Sequence, residues 1–262
     1  MKQILKSIVN KFGFEVTRAR RTRYVIDTHV DDELDYFETQ LGHFYLPRNA
    51  PDDVIINCIK SGKIFEPEII GTAKKLINHG SIALDVGANF GQMSLLFSGM
   101  VGVDGQVYSF EADDFVFEVF KKNIEANRRK NIEPIFGAVF NESGEELFFP
   151  KQDFKRFDAY GSYGIDPNAS SGRKVTSIKI DDIDFPKPVS FMKVDVQGSD
   201  LFAMQGARET IRKHKMPILF EFEQQFQDEF GTSFQDYVEF VDSIDYKFAE
   251  VINQINYLVV PK

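Results

Sequence analysis

The chain has 262 residues, a formal net charge of −9 and a single cysteine, Cys58. The length suits one α/β domain with an appended segment. The lone cysteine excludes an internal disulfide and fits a reducing compartment, so a cytoplasmic location is expected. An acidic body argues against a nucleic-acid groove, which needs a basic face, and no stretch approaches the ~18 apolar residues of a membrane span.

The charge is uneven. Residues 1–23 carry Lys2, Lys6, Lys11, Arg18, Arg20, Arg21 and Arg23 against Glu15, a local +6 that leaves −15 for the rest. The same lysines interrupt the first apolar positions, so no cleavable signal is read. This basic start reads as a solvated arm, with peripheral contact to an anionic inner-membrane surface as the alternative.

Residues 1–80 do not alternate strand and helix, and a helical cap is expected there. Lys2–Phe12 places Ile4, Leu5, Ile8, Val9 and Phe12 at helical spacing. Asp31–Gln40 and Pro51–Lys60 also read as helices, the second with Asp52 and Asp53 in its first turn and Gly62 past its end. Between them, 42–49 reads as an irregular aromatic loop. His43 in this loop is a conceivable base, although packing is the simpler role. Pro67–Asn78 is a further helix, closed by Gly80.

From Ser81 the pattern alternates strand and helix, which predicts a mostly parallel sheet over a second unit, 81–262. Strands are expected at 82–86, 106–110, 133–137, 189–194 and 217–222. Helices are expected at 91–98, 113–129, 199–212 and 233–243. Helix 113–129 is read as opening on acids and ending on Arg128, Arg129 and Lys130, to match its dipole. Short strands near 145–149 and 174–180 flank a polar loop, 153–172, of a length that suits a lid. A hairpin, 246–251 with 256–260, closes the chain.

The stretch 83–92, Ala-Leu-Asp-Val-Gly-Ala-Asn-Phe-Gly-Gln, is a buried strand ending in an acid, then a turn, then a helix start. Its Asp-x-Gly-x-x-x-Gly spacing differs from the G-x-G-x-x-G of dinucleotide sites. Asp85 would repel a pyrophosphate and suits the ammonium and sulfonium of S-adenosylmethionine. Glu111, twenty residues after Gly91, can accept both ribose hydroxyls from the tip of the second strand. A nicotinamide oxidoreductase is disfavoured by the glycine spacing.

The blocks Asp85–Gly91, Phe110-Glu111, Val175–Ile183, Lys193–Gly198 and Phe220-Glu221 together resemble FkbM-type methyltransferases over roughly residues 64–225. Phe65-Glu66-Pro67-Glu68 is similar to versions linked to glycan biosynthesis. The resemblance implies a Rossmann-like class I methyltransferase fold: a seven-stranded, mostly parallel sheet with a C-terminal antiparallel hairpin. It also implies O-methylation, on sugars of bacterial surface glycans or on hydroxyls of secondary metabolites.

Carried over by position, Asp85, Gly87, Asn89 and Gly91 would hold the methionine end, Glu111 the ribose and Ala138 the adenine edge. Ala88, Gln92, Ala112 and Asp195 complete the expected cofactor set. After strand four the family pattern Asp-x-Glu-Gly-x-Glu is replaced by Asp195-Val196-Gln197-Gly198-Ser199-Asp200. Gln197 cannot act as a base, so the catalytic set of Asp195, Gln197 and Glu221 puts proton removal on Asp195 or Glu221. The alternation of strand five is taken to turn Glu221 and Glu223 to opposite faces, so that at most one reaches the site. His29, His43, His79 and His214 show no ligand spacing, and no metal is expected. Tyr160, Ser162 and Tyr163 suit contact with a glycan. The rival reading keeps cofactor binding without catalysis, and Gln197 is the feature behind it.

Overall fold

The structure, a computed structural model, describes residues 23–25, 33–150 and 159–262. The expected helix Lys2–Phe12 and nearly all of the basic arm lie outside them.

Strands β1 (Arg23–Val25), β2 (Leu34–Thr39) and β3 (Gly42–Pro47) form an antiparallel sheet. This corrects two expectations: 31–40 is not a helix in its described part, and 42–49 is not an irregular loop. Phe37, Phe44 and Leu46 are buried while Tyr36 and Tyr45 are less so. Side chains alternate across a strand, and aromatic residues favour that half-buried surface over a helix. Thr39 Oγ donates to Gly42 O at 3.0 Å and accepts from Leu41 N at 3.1 Å, which tightens the turn.

Two expected helices follow, α1 (Val54–Lys60) and α2 (Pro67–Leu76). Asp53 caps the first, accepting from Ile56 N at 2.9 Å.

The large sheet comprises β4 (Ile82–Val86), β5 (Gln106–Glu111), β6 (Ile132–Phe136), β10 (Val189–Val194), β11 (Ile218–Glu221), β12 (Tyr246–Ile252) and β13 (Asn256–Pro261). Its order is β12-β13-β11-β10-β4-β5-β6, parallel from β6 to β11 and antiparallel where β13 enters between β11 and β12. Central β4 is buried along its whole length, as a strand covered on both faces must be. A smaller group, β7 (Ala138–Val139), β8 (Glu146–Phe149) and β9 (Arg173–Ile178), lies beside it.

The helices α3 (Gln92–Val101), α4 (Asp114–Ala126), α5 (Asp200–Gln205), α6 (Arg208–His214), α7 (Gln224–Phe230) and α8 (Phe234–Ser243) accompany the sheet. Three differ from expectation. Helix α4 stops at Ala126, and Arg128 turns away with φ 52°, so the basic run lies beyond the last turn. The helix expected over 199–212 is two: Gly206 O accepts from Asp181 N at 2.9 Å, and the Asp181 carboxylate takes the N–H groups of Glu209 and Thr210. The break is thus held by one aspartate that starts the second helix. Helix α7 has no counterpart in the sequence reading.

The small sheet is fastened to α4 by two asparagines. Asn123 Oδ1 accepts from Tyr45 N at 2.6 Å and its Nδ2 donates to Tyr45 O at 3.2 Å. Asn127 repeats the pattern on His43, at 2.9 and 2.6 Å. The geometry matches because four residues of helix rise about 6 Å and two residues of strand about 6.6 Å. Gly42 is required beside it: at φ 138°, a Cβ there would sit 2.4 Å from Asn127 Oδ1.

Candidate active site

A cavity opens where β4, β5 and β10 end. Ligands bind at that rim in open α/β sheets. Ile55 and Ile59 of α1, Phe65, and Tyr160, Gly161, Tyr163, Gly164 and Ile165 also line it. Asp53 joins these walls, since its second oxygen accepts from Tyr160 N at 2.8 Å, and Tyr160 Oη donates to Asn49 Oδ1 at 2.9 Å.

Of the expected cofactor residues, Gly87, Ala88, Asn89, Gln92, Glu111, Ala112, Ala138 and Asp195 line the cavity. Gly87, with φ 84°, lets the turn press on the neighbouring strand end, for a Cβ there would meet Asp195 O at 1.8 Å. Glu111 braces the turn. Its Oε2 accepts from Asn89 N at 2.8 Å, and its Oε1 from Ala112 N and Asp113 N at 2.8 and 2.9 Å. Burial pushes Glu111 up to about 7, against those hydrogen bonds. Gln92 works on two sides: Oε1 accepts from Phe65 N at 2.8 Å and Nε2 donates to Lys63 O at 2.9 Å. One side chain therefore joins the start of α3 to the segment before α2.

Asp85 and Gly91 stand elsewhere than expected. Asp85 has no exposed surface and does not line the cavity; its Oδ2 accepts from Ser94 Oγ at 2.5 Å, and its Oδ1 lies 3.8 Å from Lys193 Nζ. Gly91 caps α3 over the Phe120 ring.

The catalytic candidates converge. Gln197, in the left-handed region at φ 51°, donates through Nε2 to Asp195 Oδ1 at 3.0 Å and to Glu221 Oε2 at 3.1 Å. Lys193 Nζ lies 3.1 Å from Asp195 Oδ2 and donates to Gly87 O at 2.9 Å. Burial alone would lower Lys193, but Asp195 and Asp85 outweigh it and hold the ammonium above the ordinary lysine range. Glu221 sits behind Gln197, outside the cavity wall. Burial, then Asp195 and Asp200, push its carboxyl far above the usual carboxylate range.

Glu223 corrects the expectation of opposite faces. Residues two apart on a strand share a face, and β11 ends at Glu221 with Glu223 as the residue before α7. Burial and then Asp195 raise Glu223, so both glutamates belong to the same acidic neighbourhood. His43 is no base for this cavity: its ring packs on Tyr36, with Nδ1 2.7 Å from Tyr36 Oη. Tyr160 and Tyr163 are wall residues, while Ser162 is not among the lining residues. Sequence reasoning passed over Lys193 and Asp53 as site residues. Lys193 carried a usable signal, since a lysine inside Val189–Val194 must find charge partners when buried.

The strand order, with β13 antiparallel between β11 and β12, defines the class I methyltransferase fold. The model of the methyltransferase FkbM domain matches residues 85–248. The chain belongs to the FkbM methyltransferase family, a family dependent on S-adenosylmethionine. A curated relative, the probable cobalt-precorrin-6B C(15)-methyltransferase (decarboxylating) of Sulfolobus acidocaldarius, is 33% identical over 85 residues. That match covers 31% of this chain and 44% of the relative, so the chain spans less than half of its length. Among solved structures, the FkbM methyltransferase of Methylobacillus flagellatus is 19% identical with a TM-score of 0.46, over 78% of this chain and 52% of that one. M. jannaschii TYW2 in complex with AdoMet is 12% identical with a TM-score of 0.45, over 90% of both.

Proposed function

We propose that the chain is an O-methyltransferase acting on a hydroxyl of a sugar, most simply one in a bacterial surface glycan, with Asp195 as the general base. The observation that carries this reading is the position of Asp195. Its carboxylate is partly exposed at the cavity rim and is fixed by two donors, Lys193 and Gln197.

The cavity suits the methyl donor. Glu111 keeps one lone pair, on Oε2, after its three backbone contacts, enough to accept from one ribose hydroxyl. Ala138, Val139, Phe149 and Ile165 form an apolar wall suited to a flat base. When bound, S-adenosylmethionine supplies a methyl group on a sulfonium. Asp195 would hold the acceptor hydroxyl and take its proton, while the donor's S–CH3 bond would break in favour of the new O–CH3 bond and the thioether S-adenosylhomocysteine would leave. Lys193 and Gln197 hold the carboxylate in place, and the apolar roof excludes water, so much of the acceleration comes from positioning. Gln197 supports catalysis rather than its loss, because its amide supplies the two hydrogens that two acids share.

The test is methyl transfer to nucleotide sugars, free glycosides and small phenolic or polyketide alcohols, read as S-adenosylhomocysteine release, with Asp195→Asn alongside. Sugar turnover that falls about 10²-fold or more in the variant is expected for loss of a general base. Tight cofactor binding without turnover on any hydroxyl would overturn the reading, and turnover confined to small alcohols would move it to secondary metabolites.

A further inference from the structure

We propose that Glu66 is an acceptor-binding residue, a carboxylate brought from the segment before α2 to take a hydrogen bond from a second hydroxyl beside the one methylated. The inference rests on the hydroxyl reading and narrows it to acceptors with neighbouring hydroxyls, such as sugars.

Glu66 has φ 49° and ψ 64° and directly precedes Pro67. Left-handed backbone is strained for a non-glycine residue, and a following proline disfavours helical geometry further. Such a residue persists only where its surroundings over-determine it. Here the Gln92 amide grips Lys63 O and Phe65 N, the two positions leading into Glu66. The helix does not need the glutamate: Glu66 is the residue before α2 and makes no side-chain capping bond. The turn does not need it either, since glycine would adopt this backbone without strain.

The side chain is instead tied to the strand pair that carries Glu221, for Asn256 stands opposite Glu221 in the β11–β13 register. Asn256 Nδ2 donates to Glu66 Oε1 at 3.2 Å. Among the described residues, Oε2 takes no hydrogen bond. Asp195 and Lys193 both act on the Glu66 charge, and Glu66 in turn acts on Lys193 and Glu221. Burial, then Asp195, raise Glu66 above its usual value. Adjacent Phe65 lines the cavity. A strained, clamped carboxylate therefore belongs to the same charge cluster as the base, next to a residue of the cavity wall.

The test uses the full chain, a panel of methyl glycosides with their monodeoxy analogues, and Glu66→Gln, which keeps an oxygen for Asn256. For the wild type, removing the neighbouring hydroxyl should raise acceptor KM about tenfold or more, as expected for a hydrogen bond to a charged group. Glu66→Gln should show the same rise on the full glycoside, little further loss on the deoxy analogue, and unchanged calorimetric affinity for S-adenosylhomocysteine. Glu66→Gly should match or exceed the wild-type Tm while showing the same rise in KM. Equal KM in wild type and Glu66→Gln overturns the assignment and leaves the hydroxyl reading standing. Failure of the wild type to methylate any glycoside removes the hydroxyl reading, and this inference with it.

Discussion

Gln197 and Glu221 meet at 3.1 Å through Nε2 and Oε2, and the same nitrogen holds Asp195 at 3.0 Å. Two acids that would repel one another are thus joined by a neutral donor with two hydrogens. A glutamate of the same shape would place a third carboxylate against them. Gln197→Glu should therefore lower kcat/KM about tenfold or more at pH 8, with partial recovery at lower pH as the new acid takes up a proton. A pH–rate profile unchanged from wild type would show that the bridge is incidental.

Lys193 is the counter-charge of the site, 95% shielded at its side chain and shared between Asp195 and Asp85. Removing one partner of a buried pair leaves an uncompensated charge, costing about 3–5 kcal/mol. Lys193→Met should lose stability of that order in urea titration, and adding Asp85→Asn should restore part of it. Additive losses would mean that the two groups are not coupled.

Glu111 predicts a pH dependence of cofactor affinity. It is pushed up to about 7 by burial, so it is protonated below that pH in the free protein, whereas ribose hydroxyls donate best to the ionised form. Affinity for S-adenosylhomocysteine should fall by up to about tenfold per pH unit below pH 7. Glu111→Gln should bind more weakly and with a flat profile across pH 5.5–8 in calorimetry.

The same raised values set the stability of the ligand-free protein. Asp200 is also pushed up to about 7, by burial and then by Asp195. Between their unfolded values and about 7, Glu111 and Asp200 bind more protons folded than unfolded. Their contribution to stability is therefore greatest at low pH and is lost as pH rises through 7. Tm should decline from pH 6 to pH 8, and Asp200→Asn should flatten the slope.

The asparagine pair offers a test away from the cavity. Asn123→Ala would leave Tyr45 N–H and C=O without these partners, a loss of about 1–3 kcal/mol. Urea midpoints of Asn123→Ala, Asn127→Ala and the double variant should show a double loss different from the sum, because both bonds hold one strand. Wild-type stability in the single variants would dismiss the anchoring role.

Periodicity made the large sheet legible: 82–86 and 189–194 were readable because a strand buried on both faces is nearly all apolar. The acid after 106–110 was legible from spacing alone. The first strands were not, because Asp31–Gln40 offers helix-like spacing, and its pairing with 42–47 is a tertiary fact. The split at Gly206 was hidden for a related reason, since its cause is Asp181, remote in sequence and near in space. In the site, residues within one motif could be expected to meet, as the side chains of Asp195 and Gln197 do. Glu66 and Asp53 could not, since their roles depend on how the first segment folds back on the sheet.

A strand at the border of a sheet exposes a row of backbone donors and acceptors on which a further chain can pair. On the outer side of β3 that row is already occupied, at residues 43 and 45, by amide side chains that imitate a neighbouring strand. The helix supplies the missing partner without being a strand, so intermolecular pairing is blocked there by two side chains four residues apart.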